Sequence, residues 1–264
     1  MDNILIPEIP NYMMNGCKIS DLDSAGVEII GGSASKKKKK TTKKKKLPKK
    51  VSIKAKFPEV YEQNCGCCTT CAALGCDDYY YHGAGKPWRP SFKFTYFIQR
   101  SKIEKEKDLT KDDGSIVLFA LQAIKKYGAC SAKVWDNNNP IDKVPSKEAY
   151  ANGLKGKEIT TYYAINNFAE LKEALSLKRP VACSMRWCKY TYNEDFILDS
   201  FTYEEFKANP GAHAIVVVGY DDDKKLIEIR NSWGSHWGNN GYIYIRYEDF
   251  KKNIYYTDSY AVAR

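Results

Sequence analysis

Cys68, His213 and Asn231 are the residues of this 264-residue chain whose types and surroundings could carry nucleophilic chemistry. His213 lies in the apolar run AHAIVVVGY, where alternate side chains share a face, so its imidazole points where Ile215 and Val217 point. Asn231 closes the next apolar run, LIEIRN, on the face of Ile227 and Ile229. A polar group sent inward costs free energy unless it is hydrogen-bonded, so imidazole and amide on adjacent strands are expected to satisfy each other. One inward histidine on a strand is more often a core residue than a catalyst, and Cys68 is what changes that balance. The stretch QNCGCCTTCAALG puts a glycine and thiols ahead of small, helix-tolerant residues, which sets Cys68 at the first turn of a helix. The partial positive charge there, with a neighbouring imidazolium, favours thiolate and takes a cysteine pKa from ~8.5 into the range ~3.5 to 7.5. The chemistry is attack of a thiolate on an acyl carbon, with His213 passing the proton to the leaving group and Asn231 orienting the ring.

These segments resemble the papain-like cysteine peptidases. Gln63 followed by Cys65-Gly66-Cys67-Cys68-Thr69-Thr70-Cys71 is similar to that family's Gln and Cys-Gly-Ser-Cys-Trp-Ala-Phe pattern. Gly211-Ala212-His213-Ala214 with Gly219-Tyr220 resembles its general-base strand, and Asn231-Ser232-Trp233-Gly234 with Trp237-Gly238 and Gly241-Tyr242 resembles its Asn-Ser-Trp-Gly signature. The resemblance runs from about Leu47 to the C-terminus. It implies a thiol endopeptidase hydrolysing peptide bonds through Cys68 as nucleophile, His213 as base and Asn231 as its orienter. Gln63 would supply the oxyanion-hole amide beside the Cys68 N–H, and Thr257 would lie in the wall of the main specificity pocket. Trp233 would cover the His213 and Asn231 contact from water, or be plain core. His82 and His236, in polar or Gly-bounded stretches, read as surface residues. The chain departs from the family pattern in three places. Gln63 lies five residues before Cys68 where six is usual, Thr69 and Cys71 stand where Trp and Phe are usual, and no Gly-Gly stretch for a substrate backbone is found between Gly75 and Pro90.

The elements that must position these groups form an α+β, two-lobe papain-like fold, with helices in one lobe, an antiparallel sheet or barrel in the other and the site in the cleft between them. Helix signals cover Cys68 to about Tyr80, Phe92 to Ile103 and Ser115 to Tyr127, where Ile116, Phe119, Ala120 and Ile124 make a stripe and Gly128 a C-cap. Strand signals cover 180–185, 214–220, 226–230 and 242–246, preceded by a helix at 168–177. The expected boundaries are a Lys-rich tail over 1–46 and a peptidase domain over 47–264, divided into a helical lobe at about 57–145 and a β lobe at about 146–264.

The formal net charge of +10 is concentrated in the tail: residues 1–50 hold 12 Lys against 5 acids, and residues 51–264 hold 30 basic against 27 acidic residues. KKKKKTTKKKKLPKK, Lys36 to Lys50, has no apolar area to bury and reads as disordered. It is a solvated linker, a nuclear-import signal or a phosphate-binding arm, and without aromatics any nucleic-acid contact would be salt-sensitive and blind to sequence. A catalytically weak or inactive protein whose tail binds nucleic acid or an assembly partner is the competing function. Residues 1–35 carry prolines and glycines rather than a long helical stripe, so a large helical prosegment is not expected, although the tail could block the cleft in another way. Nine cysteines cannot all pair within the chain, and no apolar segment follows a basic start, so the enzyme is expected inside a cell or virion and unattached to membrane; a monomer is expected. No cofactor is expected. Cys65, Cys68, Cys71 and Cys76 have spacing near that of iron–sulfur ligands, and Cys67 or His82 could add a zinc ligand. The metal reading is the weaker one, because Cys71 continues a helix and because it leaves Gln63 and residues 211–244 unexplained.

Overall fold

The computed structural model describes residues 17–18, 46–85, 88–156, 161–188 and 191–264. Of the expected 1–46 tail only Cys17, Lys18 and Lys46 fall among these, so its disorder and the Lys36 to Lys45 run lie outside the described residues.

A seven-stranded antiparallel sheet has the order β2-β7-β3-β4-β5-β6, with β1 added beside β4. Its strands are β1 (Lys50–Ser52), β2 (Thr161–Ala164), β3 (Val181–Arg186), β4 (Ala212–Asp221), β5 (Leu226–Arg230), β6 (Tyr242–Arg246) and β7 (Ile254–Ala263). β3 pairs with β4 over Ala212–Val217, β1 pairs with it over Gly219–Asp221, and β5 runs along its other edge. β4 is therefore the central strand, buried on both faces from Ala212 to Tyr220. Such a strand reads as a continuous apolar run, which is why AHAIVVVGY shows so little alternation.

Four helices precede or flank the first half of the sheet: α1 (Cys68–Gly83), α2 (Phe92–Ile98), α3 (Val117–Tyr127) and α4 (Lys147–Lys155). α1 packs across β4 and β3 and is buried from Cys68 to Tyr79, including polar Thr69, Thr70, Asp77 and Asp78. A helix sunk this deeply needs small residues on every side, and CTTCAALGC supplies them. α2 starts at Ser91, whose side chain caps the Phe94 N–H at 3.1 Å, and passes into a π-helical turn, Gln99–Glu104, that ends at Lys105 with φ of 61°. The expected single helix to Ile103 is thus two geometries in series. α5 (Phe168–Ser176), α6 (Tyr203–Ala208) and α7 (Tyr247–Asn253) lie among the strands, α6 opening on a Thr202/Glu205 capping box.

Two buried arginines tie irregular segments to this frame. Arg100 donates to Glu106 at 2.7 Å and to the Leu109 and Lys111 carbonyls, which holds the loop leading into α3. Arg230, at the end of β5, donates to the Pro58 and Glu59 carbonyls at 3.0 and 2.8 Å and so fixes the segment leading to Gln63.

Candidate active site

The sheet and α1 meet at Cys68 and His213. Cys68 is the first residue of α1, behind an N-cap, Cys67, whose side chain makes no cap hydrogen bond. Backbone N–H groups of Ala214 and Thr69 face its sulfur and favour the anionic form. Ala214 follows His213 on β4, so the contact brings the thiol to the histidine's own strand. His213 Nε2 lies 2.6 Å from Asn231 Oδ1, and both residues are buried. The imidazole sits in an aromatic enclosure, with its centroid 4.5 Å from the Trp233 ring and 5.2 Å from the Trp187 ring. The Trp233 ring lies against the imidazole and is itself buried. Nothing in the sequence marked Trp187, a lone aromatic after the strand Val181–Arg186.

Gln63 is buried on the other side of Cys68. Its backbone N–H donates to the Ser232 carbonyl at 2.9 Å, its Oε1 accepts from the Ser232 hydroxyl at 2.5 Å, and its Nε2 donates to the Cys65 carbonyl at 2.9 Å. An amide nitrogen carries two hydrogens, so this geometry fixes the side chain and keeps one donor for a ligand. The short loop from Gln63 to Cys68 is held by Asp112, which accepts from the Gly66 N–H at 2.8 Å and from the Tyr96 hydroxyl at 2.8 Å. A Cβ on Gly66 would lie 2.9 Å from Asp112 Oδ1, so any side chain there must push aside the carboxylate that holds the loop. Asp112 is the positioning residue that motif matching could not find, since it lies 46 residues beyond the loop it holds.

The thiol departs from the sequence expectation. Cys68 is fully buried, and burial pushes its pKa up from 9.0 to about 12, the nearby N–H groups offsetting only part of that rise. Desolvation of the anion outweighs the helix terminus here. Cys17, from the N-terminal region, belongs to the same buried cluster as Cys68. Cys17 is buried at 4% exposure, donates its S–H to Ser184 Oγ at 3.1 Å, and lies close enough to Asp258 and Cys68 for their charges to raise its own pKa. Cys17 bridges in parallel to Ser115, whose carbonyl accepts from the Lys18 N–H at 3.0 Å, and the Lys18 ammonium pairs with Glu104 and Glu106. The backbone that receives an extended segment is therefore at Ser115, and residues 75–85 are instead the end of α1 and the turn after it.

Thr257 is exposed, and the β7 residue that points inward beside it is Asp258. Asp258 accepts from the N–H groups of Val117 and Leu118 at 2.9 and 3.1 Å and from the Ser184 hydroxyl at 2.6 Å, capping α3 from another element. His82 and His236 are exposed. Among the described residues no group of three or more His, Cys, Asp or Glu is arranged to hold a metal, and all nine cysteines are free thiols. A concavity of about 1160 Å³ lies elsewhere, over β1, β5 and β6, lined by Lys50, Tyr220, Leu226, Tyr244 and Tyr247 among others, and reaches none of these groups.

The comparisons with known proteins agree with this architecture. The model of the papain family cysteine proteases matches residues 47–262. An uncharacterized peptidase C1-like protein of Acanthamoeba polyphaga mimivirus is 25% identical over 218 residues, 76% of this chain and 68% of that protein. A cathepsin L-like proteinase of Fasciola hepatica is 27% identical over 137 residues, which are 49% of this chain and only 39% of the relative. Among solved structures, xylellain, a cysteine protease from Xylella fastidiosa, superposes with a TM-score of 0.68 at 25% identity over 83% of this chain and 88% of its own. A Carica candamarcensis cysteine protease solved in complex with E-64 shares the fold at a TM-score of 0.56 and 17% identity, over 83% of this chain and 99% of its own. With the family matched across its thiol, histidine and asparagine segments and the fold shared with solved members, the chain belongs to the papain family of cysteine proteases.

Proposed function

We propose that this protein is a thiol endopeptidase in which Cys68 attacks a peptide carbonyl, His213 shuttles the proton and Asn231 holds the imidazole. The observation that carries the reading is the buried 2.6 Å contact of His213 Nε2 with Asn231 on the strand whose Ala214 N–H meets the Cys68 sulfur. Asn231 engages Nε2, which makes Nδ1 the nitrogen that exchanges a proton with the thiol. Attack forms a bond from sulfur to the carbonyl carbon and drives charge onto the oxygen, where the Cys68 N–H and the second Gln63 Nε2 hydrogen would receive it. The amine leaves with the proton from His213, and water then releases the acyl group with His213 as base.

The same structure supports a latent resting state. With Cys68 fully buried and its pKa pushed up to about 12, the nucleophile rests as a protonated thiol at neutral pH. This favours a regulated enzyme over a dead one, because the groups that would stabilise the thiolate are assembled around it. Nine free thiols fit a reducing compartment, inside a cell or virion, and the basic run ahead of Lys49 remains a candidate contact for nucleic acid. E-64, the inhibitor bound by the Carica enzyme, provides the test. One equivalent should attach to Cys68, by peptide mass, once residues 1–46 are removed, and His213→Ala should abolish the labelling. Attachment to several cysteines at similar slow rates would refute the assignment.

A further inference from the structure

Glu104 ends the π-helical turn, and Glu106 lies just beyond it. Their side chains are largely buried, at 6% and 14% exposure, and the folded domain matches the charge of only one of them. Arg100 takes Glu106 through Nε at 2.7 Å, whereas among the described residues the only base paired with Glu104 is Lys18, 3.5 Å away. Lys18 reaches Glu106 as well. A carboxylate buried to this degree is costly without a cation, so the recess has a standing demand for a basic side chain. Burial pushes the Glu104 carboxyl up to about 7 and the ammonium opposes that rise, so a base in the recess favours the charged form.

The contacts around Lys18 show how a peptide lies there. Its N–H donates to the Ser115 carbonyl at 3.0 Å and Cys17 runs in a parallel bridge with Ser115, contacts that the backbone makes for any sequence. The side chains discriminate. Cys17 is 4% exposed and donates its S–H to Ser184 Oγ at 3.1 Å. The Ser184 hydrogen already goes to Asp258 at 2.6 Å, so Ser184 offers a lone pair and the slot takes a small donor, Cys, Ser or Thr. Ser184 stands opposite Ala214 in the register of β3 with β4, and the Ala214 N–H meets the Cys68 sulfur. One strand spacing, ~4.8 Å, therefore separates the floor of the slot from the strand that faces the nucleophile. We propose that Glu104 and Glu106 form a subsite of the substrate cleft for a Lys or Arg side chain, next to a slot on Ser184 for a small thiol or hydroxyl residue. The enzyme then selects polypeptides in which two such residues adjoin, and its own Cys17 and Lys18 occupy both positions in the resting chain. The proposal rests on the peptidase reading, because it names the substrate of that site.

The test measures binding in the full chain. Cys17→Asp with Lys18→Glu sets carboxylates against Asp258, Glu104 and Glu106 and should empty both positions, while Cys68→Ala prevents turnover. A fluorescein-labelled peptide NGCKIS, the sequence of residues 15–20, is titrated at pH 8 beside a counterpart with norleucine for lysine, and anisotropy gives Kd. The lysine peptide should bind at least about tenfold tighter, and Glu104→Gln should erase most of that difference. Equal Kd values for the two peptides, no binding of the lysine peptide, or a preference unchanged in Glu104→Gln would overturn the proposal. The peptide comparison alters only the ligand, so it stands even where Glu104→Gln folds poorly. Catalysis is read separately in the emptied chain that keeps Cys68. Lysine-selective binding with neither cleavage of quenched peptides nor E-64 labelling of Cys68 would leave the subsite standing and sink the peptidase assignment instead.

Discussion

Removal of residues 1–46 should convert Cys68 from a covered thiol to a reactive one, and the size of the change follows from its burial. At a pKa of about 12, the thiolate fraction at pH 7.5 is on the order of 3 × 10⁻⁵. Once the cover leaves and water reaches the sulfur, the pKa returns toward ~8.5 and the fraction rises to about a tenth, a gain of roughly 3000-fold. Pairing with a protonated His213 would lower the pKa further and enlarge the gain. The assay is iodoacetamide alkylation of Cys68, followed by peptide mass between pH 6 and 10 on the full and truncated chains. In the full chain the rate should climb about tenfold per pH unit across the whole range, whereas in the truncated chain it should level off above about pH 8.5. Because truncation starts at Leu47, where the family match begins, the folded domain is retained, and circular dichroism checks it. Equal rates in the two chains, within about threefold, would show that something other than the segment around Cys17 protects the thiol.

Other perturbations separate the remaining roles. Asn231→Ala removes the 2.6 Å partner of His213 and should cost about 1–3 kcal/mol in urea unfolding while lowering kcat more than it raises KM. Gly66→Ala drives a methyl to 2.9 Å from Asp112 Oδ1 and should lower turnover with a loss of about 1–3 kcal/mol, and Asp112→Asn should reproduce part of the kinetic loss. Asp258→Ala uncaps α3 and leaves Ser184 without its acceptor, a loss of about 1–2 kcal/mol read as a lower Tm. Asp78 has a folded pKa raised to about 6, burial outweighing the Arg89 ion pair, against ~3.9 unfolded. The folded state then holds more protons between about pH 4 and 6, so stability falls as pH rises through that window, by up to ~3 kcal/mol, and is flat above it. Asp78→Asn should flatten that slope in urea titrations at pH 4.5 and 7.

What could be read from the sequence was whatever repeats locally. β4, β5 and β6 announce themselves as apolar runs between glycines and turns, and Cys68 at a helix start follows from CGCC ahead of small residues. β1, only three residues beside a run of lysines, and β7, behind a helix made of charged residues, lack a periodic signal and exist because β4 and β3 offer them an edge. On β7, exposed Thr257 and buried Asp258 show how neighbouring residues of a strand face opposite ways. The thiol pKa was illegible for another reason. Helix position can be read from sequence, but the burial of Cys68 in the core cluster is a property of the assembled fold.

Arg230 has a consequence for how errors spread through the site. It is joined covalently to Asn231 and clasps the carbonyls of Pro58 and Glu59, a few residues ahead of Gln63. Asn231 and Gln63, to which the proposed mechanism gives the base's orientation and the oxyanion, therefore hang from one guanidinium. A substitution that loosens it should displace both together, so losses from Arg230 and Gln63 variants would combine to less than their sum.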